Sequence, residues 1–273
     1  MNAAANPPVR LPCGSVRLRV NGEAVTLRPS GALWLEQHQT LVVADLHLEK
    51  GSAYAARGQM LPPYDTAETL RRLTQEVTAL GPGRLILLGD SLHDGQAEAR
   101  LAPTDVDQID RLAQGLELLW VIGNHDADGP RHLPGQTMDE IHINPLILRH
   151  EPLPAPQPGE VAGHLHPCAK VTGKGRSVRR RCFATDSQRL ILPAFGAYAG
   201  GLNLRDSAFS PLFAKPPIAA ALGKDQVHLS GSGERKHGVA LGVACHHVER
   251  AGADGTGGAQ DGDGLGTGHG VRL

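Results

Sequence analysis

The residues most able to do chemistry fall in five short pieces: Asp45-Leu46-His47, Gly89-Asp90, Gly123-Asn124-His125-Asp126, His150, and Gly163-His164-Leu165-His166. Their side chains form a mixed oxygen and nitrogen set without thiolates. Such a set suits Mn²⁺, Fe or Zn²⁺ rather than Ca²⁺ or an iron–sulfur cluster. One ion cannot use seven ligands of this kind. Two divalent ions about 3.5–4 Å apart, sharing a bridging carboxylate, can use them all, and such a pair can clamp a phosphate and activate its attacking hydroxide. A remaining histidine beside the phosphate can protonate the leaving oxygen.

Taken singly, each piece has an ordinary explanation. Asp45 and Asp90 could cap helices, Gly-Asn-His-Asp could be a plain turn, His150 could lie on the surface, and His-Leu-His alone says little. Taken together they are ordered, chemically complementary and placed at the ends of predicted strands.

Those strands come from the apolar pattern. Val16–Val20 alternates, Asn21-Gly22 is a hairpin turn, and Ala24–Leu27 and Ala32–Leu35 continue the pattern. Leu41–Ala44, Leu85–Leu88 and Leu118–Ile122 are continuous apolar runs, as expected of strands buried on both faces, with shorter candidates at Leu146–Leu148 and Glu160–Ala162. On a strand, alternate side chains share a face, so Asp45 and His47 are expected to reach one ion together, as are His164 and His166. The glycines before Asp90, Asn124 and His164 are expected to let the backbone turn sharply. The spacing of Leu70, Leu73, Val77 and Leu80 predicts a helix capped by Asp65 or Thr66 and stopped at Gly81. A second helix opens at Pro103-Thr104 with Val106, Ile109 and Leu112 on one face. Strands alternating with helices gather ligands at the carboxyl ends of the strands. The mix of early hairpins with later strand–helix–strand units suggests two sheets packed together with helices outside.

Composition narrows the class. The chain of 273 residues is long enough for one large α/β domain, and no apolar run reaches the roughly 18 residues a membrane span needs. Met1–Pro12 lacks the pattern of a signal peptide, so a cytoplasmic protein is expected. The four cysteines, Cys13, Cys168, Cys182 and Cys245, form no CxxC pair and suit reduced thiols. A net charge of −1 gives no whole-protein attraction for nucleic acid, so any DNA contact must come from a local patch. One is present: Lys170, Lys174, Arg176, Arg179, Arg180 and Arg181 follow the last metal-ligand candidates, in what reads as a hairpin with Gly173-Lys174-Gly175 near its tip. It is either a solvated tip or a track for a DNA backbone. Aromatics are only 3% of residues, which argues against a base-stacking platform. Lys50, Arg57 and Tyr64 are candidates for the pocket rim or for plain surface. Residues 216–273 are read as an atypical, Gly-rich tail, largely disordered, after a catalytic domain of residues 1–215.

The series DxH, GD, GNHD, H and GHxH over residues 45–166 resembles the calcineurin-like metallophosphoesterases. The resemblance implies a four-layer α/β/β/α sandwich with two mixed sheets. It also implies that Asp45, His47, Asp90 and His166 hold a first metal, with Asp90 bridging to a second completed by Asn124, His150 and His164. His125 would be the general acid, oriented by Asp126 or another acidic neighbour. A narrower likeness is carried by Asp45-Leu46-His47-Leu48-Glu49-Lys50-Gly51, Leu61-Pro62-Pro63-Tyr64-Asp65-Thr66, Leu192–Tyr198 and Gly200-Gly201-Leu202-Asn203. Over residues 15–215 the chain is similar to the ligase-associated DNA damage response endonuclease group (PdeM-type). That likeness implies DNA as substrate and a DNA ligase, an exonuclease and a helicase as partners. It also implies an apolar closing strand, where the sequence after Lys215 is read as tail. Beside a DNA phosphodiesterase with Lys50, Arg57, Arg179, Arg180 and Arg181 on the substrate, two other readings stand. One is a small-molecule phosphoesterase acting on nucleotides or diphosphates; the other is a non-catalytic scaffold, which the full ligand set disfavours.

Overall fold

The alternating segment Val16–Val20 forms a strand whose Val16, Leu18 and Val20 are buried and whose two arginines face solvent. It pairs through the Asn21-Gly22 turn, both residues at positive φ, with Glu23–Leu27. In this computed structural model, which describes residues 7–59, 61–173 and 176–230, the strands run β1 (Val9–Arg10), β2 (Val16–Val20), β3 (Glu23–Leu27), β4 (Leu33–Leu35), β5 (Thr40–Ala44), β6 (Arg84–Leu88), β7 (Glu117–Val121) and β8 (Gln136–Met138). These eight form one sheet in sequence order, antiparallel from β1 to β5 and parallel from β5 to β8. The second sheet has the order β16-β15-β13-β14-β11-β10-β9, with β12 paired to β13. Its strands are β9 (Glu140–Ile143), β10 (Leu146–Arg149), β11 (Glu160–Ala162), β12 (Cys168–Gly173), β13 (Arg176–Thr185), β14 (Leu190–Ile191), β15 (Ile218–Leu222) and β16 (Val227–Ser230).

The continuous apolar strands are explained by what lies on each side. Val42 and Ala44 of β5, with Ile86 and Leu88 of β6, join Leu148, Val161 and Phe183 in the core between the sheets. Leu41, Val43, Leu85 and Leu87 face the other way, onto two helices. These are α2 (Asp65–Leu80) and α4 (Pro103–Ala113); α1 (Lys50–Ala56) and α3 (Ala97–Arg100) are shorter. Leu70 and Leu73 of α2 are each 1% exposed, and burying each stabilises the fold by about 1.5–3 kcal/mol. The outer face of the second sheet is covered by Phe209, Leu212 and Phe213, around a 3₁₀ turn at Ser210–Leu212. The chain is therefore an α/β sandwich of two mixed sheets, with its α-helices concentrated on the first.

Two expectations are corrected. Asp65 and Thr66 do not cap α2, which carries no side-chain cap. They hold the start of α1 instead: the Gly51 N–H donates to the Asp65 carboxylate at 2.8 Å and the Glu49 N–H to Thr66 Oγ1 at 2.8 Å. The boundary placed at residue 215 falls inside the second sheet. Ile218–Leu222 pairs with β13 from Cys182 to Thr185, and Val227–Ser230 closes the edge. Residues 251–273, expected to be disordered, lie outside the described residues, as do Lys174 and Gly175.

Candidate metal and phosphate site

Loops from both sheets meet at one end of the sandwich. Asp45 follows β5, Gly89-Asp90 follows β6, Gly123-Asn124 comes just after β7, His150 follows β10, and Gly163-His164 follows β11. The loops after β5 and β6 bond each other beyond the strands. The His47 N–H donates to the Asp90 carbonyl at 2.9 Å and the Leu48 N–H to the Ser91 carbonyl at 2.9 Å. Strand alternation does not place these residues: Asp45 and His47 come together without it, and His164 and His166, expected on one ion, part into different donor groups. Asp45, His47, Asp90, His164 and His166 all sit at positive φ, between 45° and 65°. Asp and His tolerate that region better than most residues, at about 1–3 kcal/mol each, and the sharp kinks turn all five side chains inward.

The motif glycines also make room. Gly89 lies at φ +73, and a Cβ there would overlap the His150 ring. At Gly123 and Gly163 the need is space alone: a Cβ would strike the carboxylates of Asp90 and Asp45 respectively.

All seven metal-ligand candidates come together. On one side His47 Nε2 and His166 Nε2 are 3.3 Å apart, and His166 Nε2 is 3.3 Å from Asp45 Oδ1. On the other, His150 Nε2 lies 3.0 Å from Asn124 Oδ1, 3.2 Å from His164 Nδ1 and 3.3 Å from Asp90 Oδ2. Asp90 Oδ2 is also 4.0 Å from His47 Nε2, so its carboxylate lies between the two groups. The sets Asp45, His47, His166 and Asp90, His150, His164 each bring their donor atoms within 4.8 Å of one another. Buried imidazole nitrogens and carboxylate oxygens crowded this closely, without thiolates, fit a pair of divalent cations. Asp45, His47, Asp90 and His150 form a buried floor, Asn124 is exposed, and His164 and His166 are half-buried at the rim.

Electrostatics in the metal-free protein follow from this crowding. Burial, reinforced by the charge of His166, pushes His47 down to about 2. Burial also disfavours protonated His150, but the carboxylates of Asp90 and Asp45 outweigh it and raise this group to about 9. Burial works against ionised Asp90, yet His150 and the His125 N–H hold it well below the usual carboxylate range.

His125 places Nε2 4.0 Å from Asp90 Oδ2 and donates from Nδ1 to the His93 carbonyl at 2.9 Å. The expected orienting role of Asp126 is therefore corrected. Its buried carboxylate accepts from the N–H groups of Ser91 (2.7 Å), Leu92 (3.1 Å) and Gly123 (2.8 Å), latching the loop after β7 to the loop after β6. His93 escaped the sequence reading. It is 4% exposed, stacks on His125 at 5.4 Å and meets His47 edge-on at 5.7 Å. Its position three residues after Asp90, in the same strand-end loop, was the available signal.

The substrate-side candidates divide. Lys50 opens α1, with Nζ 5.8 Å from the Tyr54 ring, and Tyr54 lies 6.0 Å from His93. The Lys50 charge helps to depress His47. Arg57 is exposed at the far end of α1, about 10 Å along the axis from Lys50. Arg181 is not available to substrate: it is half-buried and donates to the carbonyls of Ala194 (3.0 Å), Ala197 (3.1 Å) and Ala199 (3.2 Å). Arg179 is exposed and bonded to the Gly201 carbonyl, and Arg180 is exposed on the other face of β13.

Two packed mixed sheets whose strand-end loops pool carboxylates, an amide and imidazoles make a site fit for a pair of divalent metal ions. The sequence profile of the calcineurin-like phosphoesterases matches residues 38–188, and the chain belongs to that family, which works through dinuclear divalent-metal centres. Among solved structures it is similar to the nuclease MPE of Pseudomonas putida, with 28% identity and a TM-score of 0.61 over 79% of this chain and 100% of that one. Yfce, a phosphoesterase from E. coli, aligns at 15% identity and a TM-score of 0.34, over 69% of this chain and 95% of that one. No curated protein matches. Among the described residues no helix is long and apolar enough to cross a membrane.

Proposed function

We propose that this chain is a Mn²⁺-dependent phosphodiesterase that cleaves DNA, a member of the ligase-associated DNA damage response endonuclease group acting beside a ligase, an exonuclease and a helicase. Asp45, His47, Asp90 and His166 would hold one ion; Asp90, Asn124, His150 and His164 would hold the other. Bound there, two divalent ions supply Lewis acidity and charge neutralisation for the phosphoryl group. His125 acts on the leaving group. With Nδ1–H committed to the His93 carbonyl, its imidazolium form carries the transferable proton on Nε2, the nitrogen 4.0 Å from the Asp90 carboxylate.

The observation that carries the DNA reading is the exposure of the site. The carboxylates lie on a buried floor, whereas Asn124 is exposed and His125, His164 and His166 are half-buried, so a polymer backbone can lie across it. The likeness to a nuclease supports the same reading. The test is cleavage of supercoiled plasmid and single-stranded oligonucleotide with Mn²⁺, alongside bis-p-nitrophenyl phosphate, with His125→Ala as control. DNA cleavage by the wild type that disappears in the variant is expected. Hydrolysis of the small ester without DNA cleavage would move the substrate to nucleotides or other small phosphoesters.

A further inference from the structure

The hairpin of β12 and β13 is built unlike the rest of the second sheet. Of the ten residues in β13, Cys182–Thr185 pair with β14 and β15, whereas Arg176–Arg181 pair with β12 alone. Six residues of two-stranded ribbon, about 20 Å at 3.4 Å per residue, therefore run on past the sheet. Register fixes its faces. Ala169 and Val171 pack with Cys182, Ala219 and Ala221, and the face they share carries Val178 and Arg180. The other face carries Lys170, Arg179 and Arg181.

On that second face Lys170 stands directly opposite Arg179. Like charges facing each other across antiparallel strands repel, and none of the ion pairs among the described residues includes Lys170, Arg179, Arg180 or Arg181. Two arginines orient this face. Arg181 is pinned to the carbonyls of Ala194, Ala197 and Ala199. Arg179 donates to the carbonyl of Gly201, a residue packed so closely on the His166 carbonyl that a Cβ there would collide with it. The opposed cations thus sit on the side of the ribbon next to His166.

We infer that Lys170 and Arg179 form a phosphate seat for the DNA strand as it leaves the catalytic centre past His166, with Arg181 as the anchor that fixes the ribbon. This rests on the reading of DNA as substrate. An anionic backbone supplies the counter-charge the pair lacks, and each of the two cations on this face can take one phosphate of the strand. Arg180, on the opposite face, has no part in it.

The test is the salt dependence of kcat/KM for nicking of supercoiled plasmid by the Mn²⁺-loaded full chain, as KCl is raised. Each lost phosphate contact lowers the log–log slope by about 1. The double variant Lys170→Ser/Arg179→Thr should therefore flatten it by about 2, with the Arg180→Ser slope equal to wild type. If the double variant loses its fold, the single variants, each expected to flatten the slope by about 1, decide the question. A wild type that cleaves DNA with the same slope as these variants would overturn the ribbon seat and leave the DNA reading intact. Equal flattening by Arg180→Ser would overturn the assignment to one face. A wild type that cleaves no DNA would overturn both readings.

Discussion

Replacing Gly89 by alanine separates backbone strain from damage to the site, because Gly81 provides the comparison. Both glycines have positive φ, +73° and +57°, but no heavy atom lies within 4 Å of a Cβ built at Gly81, whereas one built at Gly89 overlaps the His150 ring. A side chain in the left-handed region costs about 1–2 kcal/mol, and that is the whole cost expected for Gly81→Ala. Gly89→Ala adds overpacking, about 1–3 kcal/mol, giving about 2–5 kcal/mol together. Relief of the overlap moves His150 by about an ångström away from Asp90 and Asn124, and misplacement on that scale costs about 10²-fold in rate. The assay combines urea unfolding, metal content of the purified protein and kcat on bis-p-nitrophenyl phosphate at saturating Mn²⁺. Gly81→Ala should lose stability while keeping metal and rate. Gly89→Ala should lose more stability, the ion on the His150 side and about 10²-fold in kcat. A Gly89→Ala protein with both ions and wild-type kcat would refute the close approach of His150 as a requirement of the site.

Other outcomes follow from the same geometry. His125→Ala should leave metal content intact and slow substrates with poor leaving groups by about 10²–10⁴-fold; equal rates would remove His125 from proton transfer. Asp126→Ala strands the N–H groups of Ser91, Leu92 and Gly123 at about 1–3 kcal/mol for each one left buried without an acceptor. Asp126→Asn should recover part of that loss in a denaturant melt, and wild-type stability of the alanine variant would contradict the latch. His150, raised to about 9 in the metal-free protein, is protonated at neutral pH and must lose that proton to become a ligand. Metal uptake at pH 7 should therefore release protons, measurable by calorimetry in buffers of different ionisation heat. Because the folded pKa lies above the unfolded value, this group's contribution to metal-free stability is full below about 6.5 and lost as pH rises through about 9. Uptake without proton release would contradict the pairing of His150 with Asp90 and Asp45.

Legibility followed burial. The strands β5, β6 and β7 could be read directly because each is covered on both faces, by the second sheet and by α2 and α4, which leaves a continuous apolar run in the sequence. By contrast, β8 is an exposed edge strand, Gln136-Thr137-Met138, with no pattern to read. The strand β15, Ile218-Ala219-Ala220-Ala221-Leu222, was missed because its alanines carry no strand signature. They are small because Ala169 and Cys182 pack closely on Ala219 and Ala221, a requirement set by partners distant in sequence. Six of the ligand residues were legible because they lie in the short motifs Asp-Leu-His, Gly-Asp, Gly-Asn-His-Asp and Gly-His-Leu-His, whereas His150 stands without one. How they converge was not: it depends on left-handed backbone at Asp45, His47, Asp90, His164 and His166. Asp126 and Arg181 carry charges that read as functional, yet each satisfies backbone groups from a neighbouring loop. No local pattern distinguishes that use from contact with substrate.

The central claim is a paired metal site bridged by Asp90. Its most direct test is the metal content of the Mn²⁺-reconstituted protein after removal of free ions, compared with that of Asp90→Asn. The account predicts two ions per wild-type chain, and loss of both ions and of activity in the variant. One tightly held ion with full activity, in either protein, would contradict it.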